Sequence, residues 1–142
     1  MSHTASDPIA GYAMPLVQGA EPLLRWGEPA FRRTGATAWQ AVGLFRRLRD
    51  ALAGLHARGV VIGDFNDLNV LVRAAPGGLA EPFLIDADSF QFAGFPCAVF
   101  TERFLDPRRC DRPSGQPVPV RPFDEQSDWF AFSALFSTLS LL

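Results

Sequence analysis

Residues 61–72 constrain the fold of this 142-residue chain more than any other stretch of its sequence. Strand-like runs at residues 60–62 and 70–72 enclose a segment rich in glycine, aspartate and asparagine. β-Branched residues favour extended strands, whereas Gly, Asp and Asn favour turns. The pattern therefore predicts a short loop that holds several polar side chains between two short strands.

Several side chains in and after this loop are suited to chemistry on a phosphate group. Asp64 is followed five residues later by Asn69, and two more carboxylates, Asp86 and Asp88, follow the apolar run at residues 83–85. A carboxylate can orient an attacking hydroxyl or accept its proton, and carboxylate and amide oxygens can bind magnesium. Asp and Asn are also common turn formers, so the spacing alone fits an ordinary turn equally well.

The order of the motifs along the chain favours the catalytic interpretation. A predicted helix ends with Leu55-His-Ala-Arg-Gly59 before the Asp64 loop, Leu84-Ile85-Asp86 follows the loop, and Ser127-Asp128-Trp129 comes further on. In this order they resemble three parts of the protein-kinase-like superfamily. These are the H-R-D-x-x-x-x-N catalytic loop with its lead-in, the D-F-G motif, and the start of the long buried helix.

The resemblance implies an α+β fold: a mainly helical kinase C-lobe with a small β-hairpin that carries the catalytic loop. It covers residues 12–142, from the interlobe hinge to the start of the long buried helix, and leaves residues 1–11 as a disordered or truncated terminus. The chain contains no lysine and no G-x-G-x-x-G loop, which a kinase N-lobe uses to hold the phosphates of ATP. We therefore expect the N-lobe to be absent, the C-terminal helices to be truncated, and the isolated chain to be inactive.

The resemblance also implies an activity and roles for individual residues. Protein kinases transfer the γ-phosphoryl group of ATP to a protein hydroxyl with the help of magnesium ions. The acceptor implied here is a Ser or Thr hydroxyl of a protein substrate. Asp64 would orient that acceptor, Asn69 and Asp86 would hold Mg²⁺, and Met14 and Leu16 would lie at the hinge beside the adenine.

The metal assignment has an alternative, and Asp128 and His56 have expected structural roles. Ala87-Asp88 stands where the family has Phe-Gly, so Asp88 is a second candidate for the metal ligand. Asp128 matches a family aspartate that accepts hydrogen bonds from the backbone of the catalytic loop, a structural role. Without the resemblance, Asp128 is an acid near the start of a helix, where it favours the helix dipole. His56 is interpreted as a helix-end histidine that packs under the loop.

The chain departs from the family at two positions of the loop. Ile62-Gly63 replaces the usual His-Arg, so the loop has no cation for a phosphorylated activation segment, and Asn66 replaces the lysine of serine/threonine kinases. The Gly-Asp pair resembles that of atypical bacterial serine/threonine kinases. It also resembles small-molecule phosphotransferases such as aminoglycoside and choline kinases. The absence of lysine and the changed Asp-Phe-Gly also fit a pseudokinase-like binding module, and the abrupt ends of the sequence also fit an inactive fragment.

Local signals predict the remaining elements. Thr37 followed by Gln40 is a capping box, and apolar residues then continue at helical spacing to a stop at Arg58-Gly59. Ser127 is the predicted N-cap of a second helix that is apolar almost all round. The weaker predictions are an edge strand within residues 12–17, at most one short helix within residues 19–36, a turn at residues 76–78, a strand at residues 83–85 after Pro82, and an irregular functional segment at residues 89–126.

Composition excludes several classes of protein. A formal charge of −2 gives no support for nucleic-acid or membrane-surface binding. No window approaches the roughly 20 apolar residues of a membrane span, and no signal peptide is visible at the N-terminus. Cys97 and Cys110 are far in sequence from either histidine and are expected to be a reduced cytoplasmic pair, not a zinc site.

Overall fold

The computed structural model describes residues 13–33 and 37–140, which contain both α-helices and short antiparallel strands. The predicted α+β class is confirmed. The predicted terminus at residues 1–11 and the predicted truncation at Leu142 lie outside the described residues. The helices are α1 (Leu23–Trp26), α2 (Pro29–Arg32), α3 (Ala38–His56) and α4 (Glu125–Ser140), and the strands are β1 (Ala20–Pro22), β2 (Val70–Ala75), β3 (Leu79–Leu84), β4 (Cys110–Asp111) and β5 (Val118–Pro119).

Helix α3 begins and ends where its sequence predicts. The Thr37 hydroxyl accepts a hydrogen bond from the Gln40 backbone N–H at 3.2 Å, and the Gln40 side chain accepts one from the Thr37 N–H at 2.8 Å. This capping box satisfies two backbone donors that the first turn would otherwise leave unpaired. The chain leaves the helix before Gly59, whose φ is +71°. The buried face of α3 consists of Leu44, Phe45, Leu48, Leu52 and His56.

A three-stranded antiparallel sheet in the order β1-β2-β3 packs on α3, and its strands β2 and β3 follow the Asp64 loop. Strands β2 and β3 form a hairpin in which Val70 pairs with Leu84 and Ala75 pairs with Leu79. The predicted turn at residues 76–78 is confirmed as a short 3-10 turn. Strand β3 already includes Pro82, which the sequence predicted would precede it. An edge strand tolerates proline because one of its sides makes no ladder hydrogen bonds.

The region before the hairpin differs from the predictions in three ways. Residues 13–17 form no strand; β1 follows the turn at Gly19 (φ +66°) and pairs with β2. Two helices of four residues, α1 and α2, replace the single short helix predicted within residues 19–36. Val61 pairs with Gln91, not with β2. The hairpin therefore follows the loop, and the N-terminal side of the loop is held by the segment after β3.

Helix α4 starts two residues before the predicted N-cap at Ser127. The Asp124 carboxylate accepts a hydrogen bond from the Ser127 backbone N–H, and the Ser127 hydroxyl accepts one from the Asp124 N–H, both at 3.1 Å. Asp124 therefore caps the helix and Ser127 is its reciprocal partner, a pairing that the sequence prediction missed. Helix α4 packs on α3 through edge-to-face contacts of Phe45 with Phe132 and Phe136. Phe136 is still 44% exposed, so α4 is buried on part of its surface and not all round.

The segment at residues 89–124, called here the connecting segment, is irregular, as predicted. Its regular elements have two or three residues each, including the β4-β5 pair. Arginine–carboxylate pairs hold it in place. Arg109 contacts the helix cap Asp124, and Arg108 binds both oxygens of Asp106, whose side chain is buried. None of the described helices is long and apolar enough to span a membrane.

The pair formed by the buried Asp106 and the largely exposed Arg108 predicts a specific pH dependence of stability. Hydrogen bonds from Arg108 are the main cause of a pKa of Asp106 below its usual 3.8. A lowered pKa in the folded state stabilises the fold above the usual pKa, and this contribution is lost as the pH falls through the lowered value. We expect the free energy of unfolding to fall more steeply below about pH 4 in the wild type than in Asp106→Asn. Urea denaturation at a series of pH values measures this. Arg108→Gln should flatten the same part of the curve, and parallel wild-type and Asp106→Asn curves would contradict the assignment.

Candidate active site

The loop between Asp64 and Asn69 is organised from within by Asn66. The side-chain oxygen of Asn66 accepts hydrogen bonds from the backbone N–H of Leu68 at 2.9 Å and of Asn69 at 3.1 Å. Its amide nitrogen donates to the backbone carbonyl of Asp64 at 3.1 Å. Asn66 is 3% exposed, and its neighbour Phe65 is buried in the core at 1%. The residue that replaces the family's lysine is therefore the scaffold of the loop, a role that the sequence prediction missed.

This scaffold brings the two predicted functional side chains together. The Asn69 amide nitrogen donates to the backbone carbonyl of Asp64 at 3.0 Å and lies 3.5 Å from a carboxylate oxygen of Asp64. Both residues are half-buried, so their side chains are ordered but still accessible. The side-chain oxygen of Asn69 accepts no hydrogen bond from the described residues. It is therefore available to a cation or to solvent.

The loop rests on Asp128, whose exposed fraction is 0%. Its carboxylate accepts hydrogen bonds from the backbone N–H groups of Ile62 at 2.8 Å and Gly63 at 2.9 Å. Its third contact is with Nε2 of His56 at 2.9 Å, at the end of α3. Burial raises the pKa of Asp128, while the hydrogen bonds from His56 and from the backbone of Ile62 and Gly63 oppose that rise. Asp128 thus joins the start of α4, the end of α3 and the first residues of the loop.

His56 is held between these elements, as its interpretation as a packing residue implies. Its ring makes an edge-to-face contact with Trp129, with centroids 5.6 Å apart. Its Nδ1 is buried without a hydrogen-bond partner among the described residues and lies 4.0 Å from the Glu125 carboxylate. Through its contact with Asp128, His56 supports the residues at the start of the loop.

Position 63 requires a glycine, so the arginine of typical kinases does not fit there. Its φ is +76°, which glycine adopts without strain. A Cβ atom there would lie 2.6 Å from both Cβ and Sγ of Cys97 in the connecting segment. Cys97 is buried against this point, and burial raises the pKa of its thiol. The connecting segment therefore packs directly onto the backbone that precedes Asp64.

A cavity of about 810 Å³ lies beside the β2-β3 hairpin. Its walls include Met14 and Leu16, predicted at the hinge, together with Asp86 and Asp88 at the end of β3. Met14 is 61% exposed and Leu16 is 81% exposed, so apolar surface is open to this space. Asp64 and Asn69 are not among its lining residues. The cavity is large enough for a small ligand, and its lining combines apolar side chains with two aspartates and Arg73.

Of the two aspartates, Asp86 lies nearer along the chain to a backbone hydrogen bond with Asn69. The backbone N–H of Ile85 donates to the carbonyl of Asn69 at 3.0 Å, so Asp86 directly follows the residue paired with Asn69. Asp86 has a φ of +61°, a left-handed conformation that concentrates at functional sites in non-glycine residues. Both aspartates are exposed. Their carboxylates and the Asn69 amide are the oxygen donors that Mg²⁺ prefers, so the donor chemistry fits this ion.

The described residues contain no cluster of three or more His, Cys, Asp or Glu side chains that could hold a metal by themselves. Mg²⁺ commonly keeps several waters and is bound through one or two carboxylates together with substrate phosphates. Asn69 and Asp86 would therefore supply only part of the coordination of such an ion.

Comparison with known proteins gives a distant relation to kinases. The chain is 32% identical over 113 residues to proteins named Protein kinase YegI from Escherichia coli O157:H7 and from Escherichia coli strain K12. The similarity covers 75% of this chain, whereas the chain spans 17% of the length of these curated relatives. No protein-family model matches the chain. These similarities support a general relation of the chain to kinases and nothing finer.

Proposed function

We propose that this chain is the C-lobe part of a protein-kinase-like domain, residues 12–142, whose parent protein transfers phosphate from ATP to a Ser or Thr hydroxyl of a protein. The loop that links Asp64 to Asn69, anchored on the buried carboxylate of Asp128, carries this proposal. The similarity to proteins named as kinases supports it independently. ATP as donor implies a cytoplasmic site of action.

In this proposal Asp64 orients the acceptor hydroxyl and accepts its proton as the phosphate is transferred. The hydrogen bond from Asn69 to the Asp64 backbone keeps the carboxylate at a fixed place in the loop. Asn66 cannot supply the positive charge of the lysine that it replaces. Asp64 therefore acts beside a neutral side chain. The metal and groups outside this chain would have to stabilise the negative charge of the transferring phosphoryl group.

Asn69 and Asp86 would hold the magnesium ion. Bound there, Mg²⁺ would neutralise charge on the phosphate oxygens and align them for transfer. We assign Asp86 before Asp88 because Asp86 adjoins the backbone hydrogen bond between Ile85 and Asn69. Met14 and Leu16 would contact the adenine, since they are apolar and line the same cavity as Asp86.

Two different functions are compatible with the same fold. A pseudokinase-like binding module is favoured by the replacement of Phe-Gly after Asp86 and by the absence of lysine from the chain. A small-molecule phosphotransferase of the aminoglycoside or choline kinase type is favoured by the Gly63-Asp64 pair. The connecting segment of residues 89–124 favours a protein substrate, since long segments of this kind commonly form binding surfaces.

A titration of the ¹⁵N-labelled chain with ATP and Mg²⁺, followed by NMR, tests the nucleotide site. We expect chemical-shift changes at Met14, Leu16, Ile85 and Asp86, which line the cavity, at ligand concentrations in the millimolar range. Weak binding, with Kd on the order of 1 mM or about −4 kcal/mol, is expected from a chain that has no lysine for the phosphates. Asp86→Asn should abolish the part of the response that depends on magnesium.

The matched control for this titration is Asp88→Asn, which removes an exposed carboxylate from the same cavity wall. It should leave the magnesium dependence unchanged. If Asp88→Asn and not Asp86→Asn removes that dependence, the metal role belongs to Asp88. Shifts confined to residues outside the cavity, or no shifts with either nucleotide or metal, would overturn the proposed nucleotide site.

A further inference from the structure

Asp67 is a buried carboxylate inside the Asp64–Asn69 loop that the proposed mechanism does not use. Its side chain is 6% exposed. Both of its oxygens accept hydrogen bonds from one guanidinium nitrogen of Arg103, at 2.8 and 2.6 Å. No other described residue donates to this carboxylate. Its backbone carbonyl accepts a hydrogen bond from Leu24 at 3.0 Å, which ties this part of the loop to α1.

Arg103 lies in the connecting segment, 36 residues beyond Asp67. It belongs to the short turn Glu102–Phe104, and its guanidinium also lies 4.7 Å from the centre of the Phe104 ring. The residue before this turn, Thr101, accepts a hydrogen bond from the Asn66 amide nitrogen at 3.1 Å. Adjacent residues of the loop, Asn66 and Asp67, are thus bonded to adjacent parts of the connecting segment.

The two partners of the ion pair are in different environments. Arg103 is 55% exposed and would be well solvated without its partner, whereas Asp67 has little access to water. A buried charge that loses its partner is strongly unfavourable, because neither water nor another charge compensates for its burial. The loop can therefore keep Asp67 inward only while a cation from the connecting segment reaches it.

We infer that Arg103 is a positioning residue, which neutralises Asp67 and thereby holds the Asp64–Asn69 loop against the connecting segment. The inference rests on the proposed function, since it concerns the geometry of the proposed catalytic loop. Many kinases order this region when a phosphate on the segment pairs with an arginine. Here the charges are reversed: the loop supplies the carboxylate and the segment supplies the cation. The connection therefore needs no phosphate.

Hydrogen–deuterium exchange of the full 142-residue chain tests the inference without nucleotide or phosphoryl transfer. The reporters are the backbone amides of Leu68 and Asn69, which donate to Asn66 within the loop. In Arg103→Gln we expect these amides to exchange roughly tenfold faster, while amides in the middle of α3 keep their rates. Arg103→Lys, which keeps a cation at the same place, should restore slow exchange.

The matched control is Arg112→Gln. Arg112 pairs with Glu102 at 3.1 Å in the same segment, but both side chains are exposed and neither contacts the loop. This variant should leave exchange at Leu68 and Asn69 unchanged. Equal acceleration in Arg112→Gln and Arg103→Gln would overturn the inference, as would protection in Arg103→Gln equal to that of the wild type.

A double variant gives a second test, which asks whether Arg103 acts through Asp67. Asp67→Asn removes the buried charge and keeps its shape, so Arg103→Gln should cause less harm in its presence. We expect the loop amides of Asp67→Asn/Arg103→Gln to exchange more slowly than those of Arg103→Gln alone. Additive acceleration in the double variant would mean that the two residues act independently, and the inference would be wrong. Because no readout depends on ATP, this result and that of the nucleotide titration can fail separately.

Discussion

Asp128→Ala is expected to lower the free energy of unfolding by about 3 kcal/mol or more. The change leaves the backbone N–H groups of Ile62 and Gly63 buried without an acceptor, and each such donor costs about 1–3 kcal/mol. It also removes the partner of His56 at the end of α3. Part of this loss of stability is offset, because the variant no longer buries the carboxylate of Asp128. Burial of that carboxylate is unfavourable and raises its pKa. Urea denaturation followed by tryptophan fluorescence measures the difference.

Asp88→Ala is the control for this experiment, because Asp88 is an exposed acid that the described structure leaves without a hydrogen-bonded role. Its effect on stability should stay within about 0.5 kcal/mol. Asp128→Asn should fall between the two, since one amide oxygen can replace at most part of the carboxylate's acceptor capacity. If Asp128→Ala costs less than about 1 kcal/mol, Asp128 does not support the loop, and the kinase-like interpretation loses its strongest structural contact.

Gly63→Ala should also destabilise the protein strongly, by about 3 kcal/mol. Its φ of +76° is unfavourable for alanine, and the new Cβ would lie 2.6 Å from two atoms of Cys97. The connecting segment must then move away from the loop, because one of these atoms is the Cβ of Cys97, which cannot move without its backbone. Equilibrium denaturation gives the stability change, and faster exchange of the Gln91 amide, which donates to Val61, would report the displacement.

Gly59→Ala separates the two causes. Gly59 has a similar φ of +71°, but no atom lies within 4 Å of the position of its Cβ. This control should therefore show the backbone cost alone, about 1 kcal/mol. The excess in Gly63→Ala measures the contact with Cys97. Equal effects of the two substitutions would show that Cys97 gives way freely, and that the packing of the connecting segment does not explain the glycine.

Elements that depend on residues close in sequence were predictable from local chemistry. The capping box of Thr37 and Gln40 and the apolar spacing after it defined α3, because its first hydrogen bonds join residues three positions apart. The turn at residues 76–78 followed from Pro76-Gly77-Gly78 for the same reason. Where two local signals competed, prediction was wrong. Ser127 looked like an N-cap, but Asp124 holds that position and uses Ser127 as its partner.

The position of β1 was not predictable from its own residues. The apolar run at residues 12–17 had the composition of a strand, yet the pairing with β2 falls on Ala20–Pro22. Strand formation depends on the partner strand and on the burial of each face, and these are properties of the assembled sheet. The link between Val61 and Gln91 has the same origin, since it joins residues that no local pattern relates.

By itself, the sequence determined helix α3 and the short spacing that brings Asn69 to the backbone of Asp64, whereas the α+β class came from the family resemblance. A family resemblance, and not local chemistry, suggested that Asp128 contacts the loop. The tertiary structure alone decided that Asn66 is the loop scaffold tied to Thr101, that Arg103 reaches Asp67, and that Cys97 fills the space beside Gly63. These contacts join residues about 35 positions apart. These contacts form only when the connecting segment packs onto the loop. A charge needs a partner, and a position needs a glycine, only where that packing excludes water or leaves no space for a side chain.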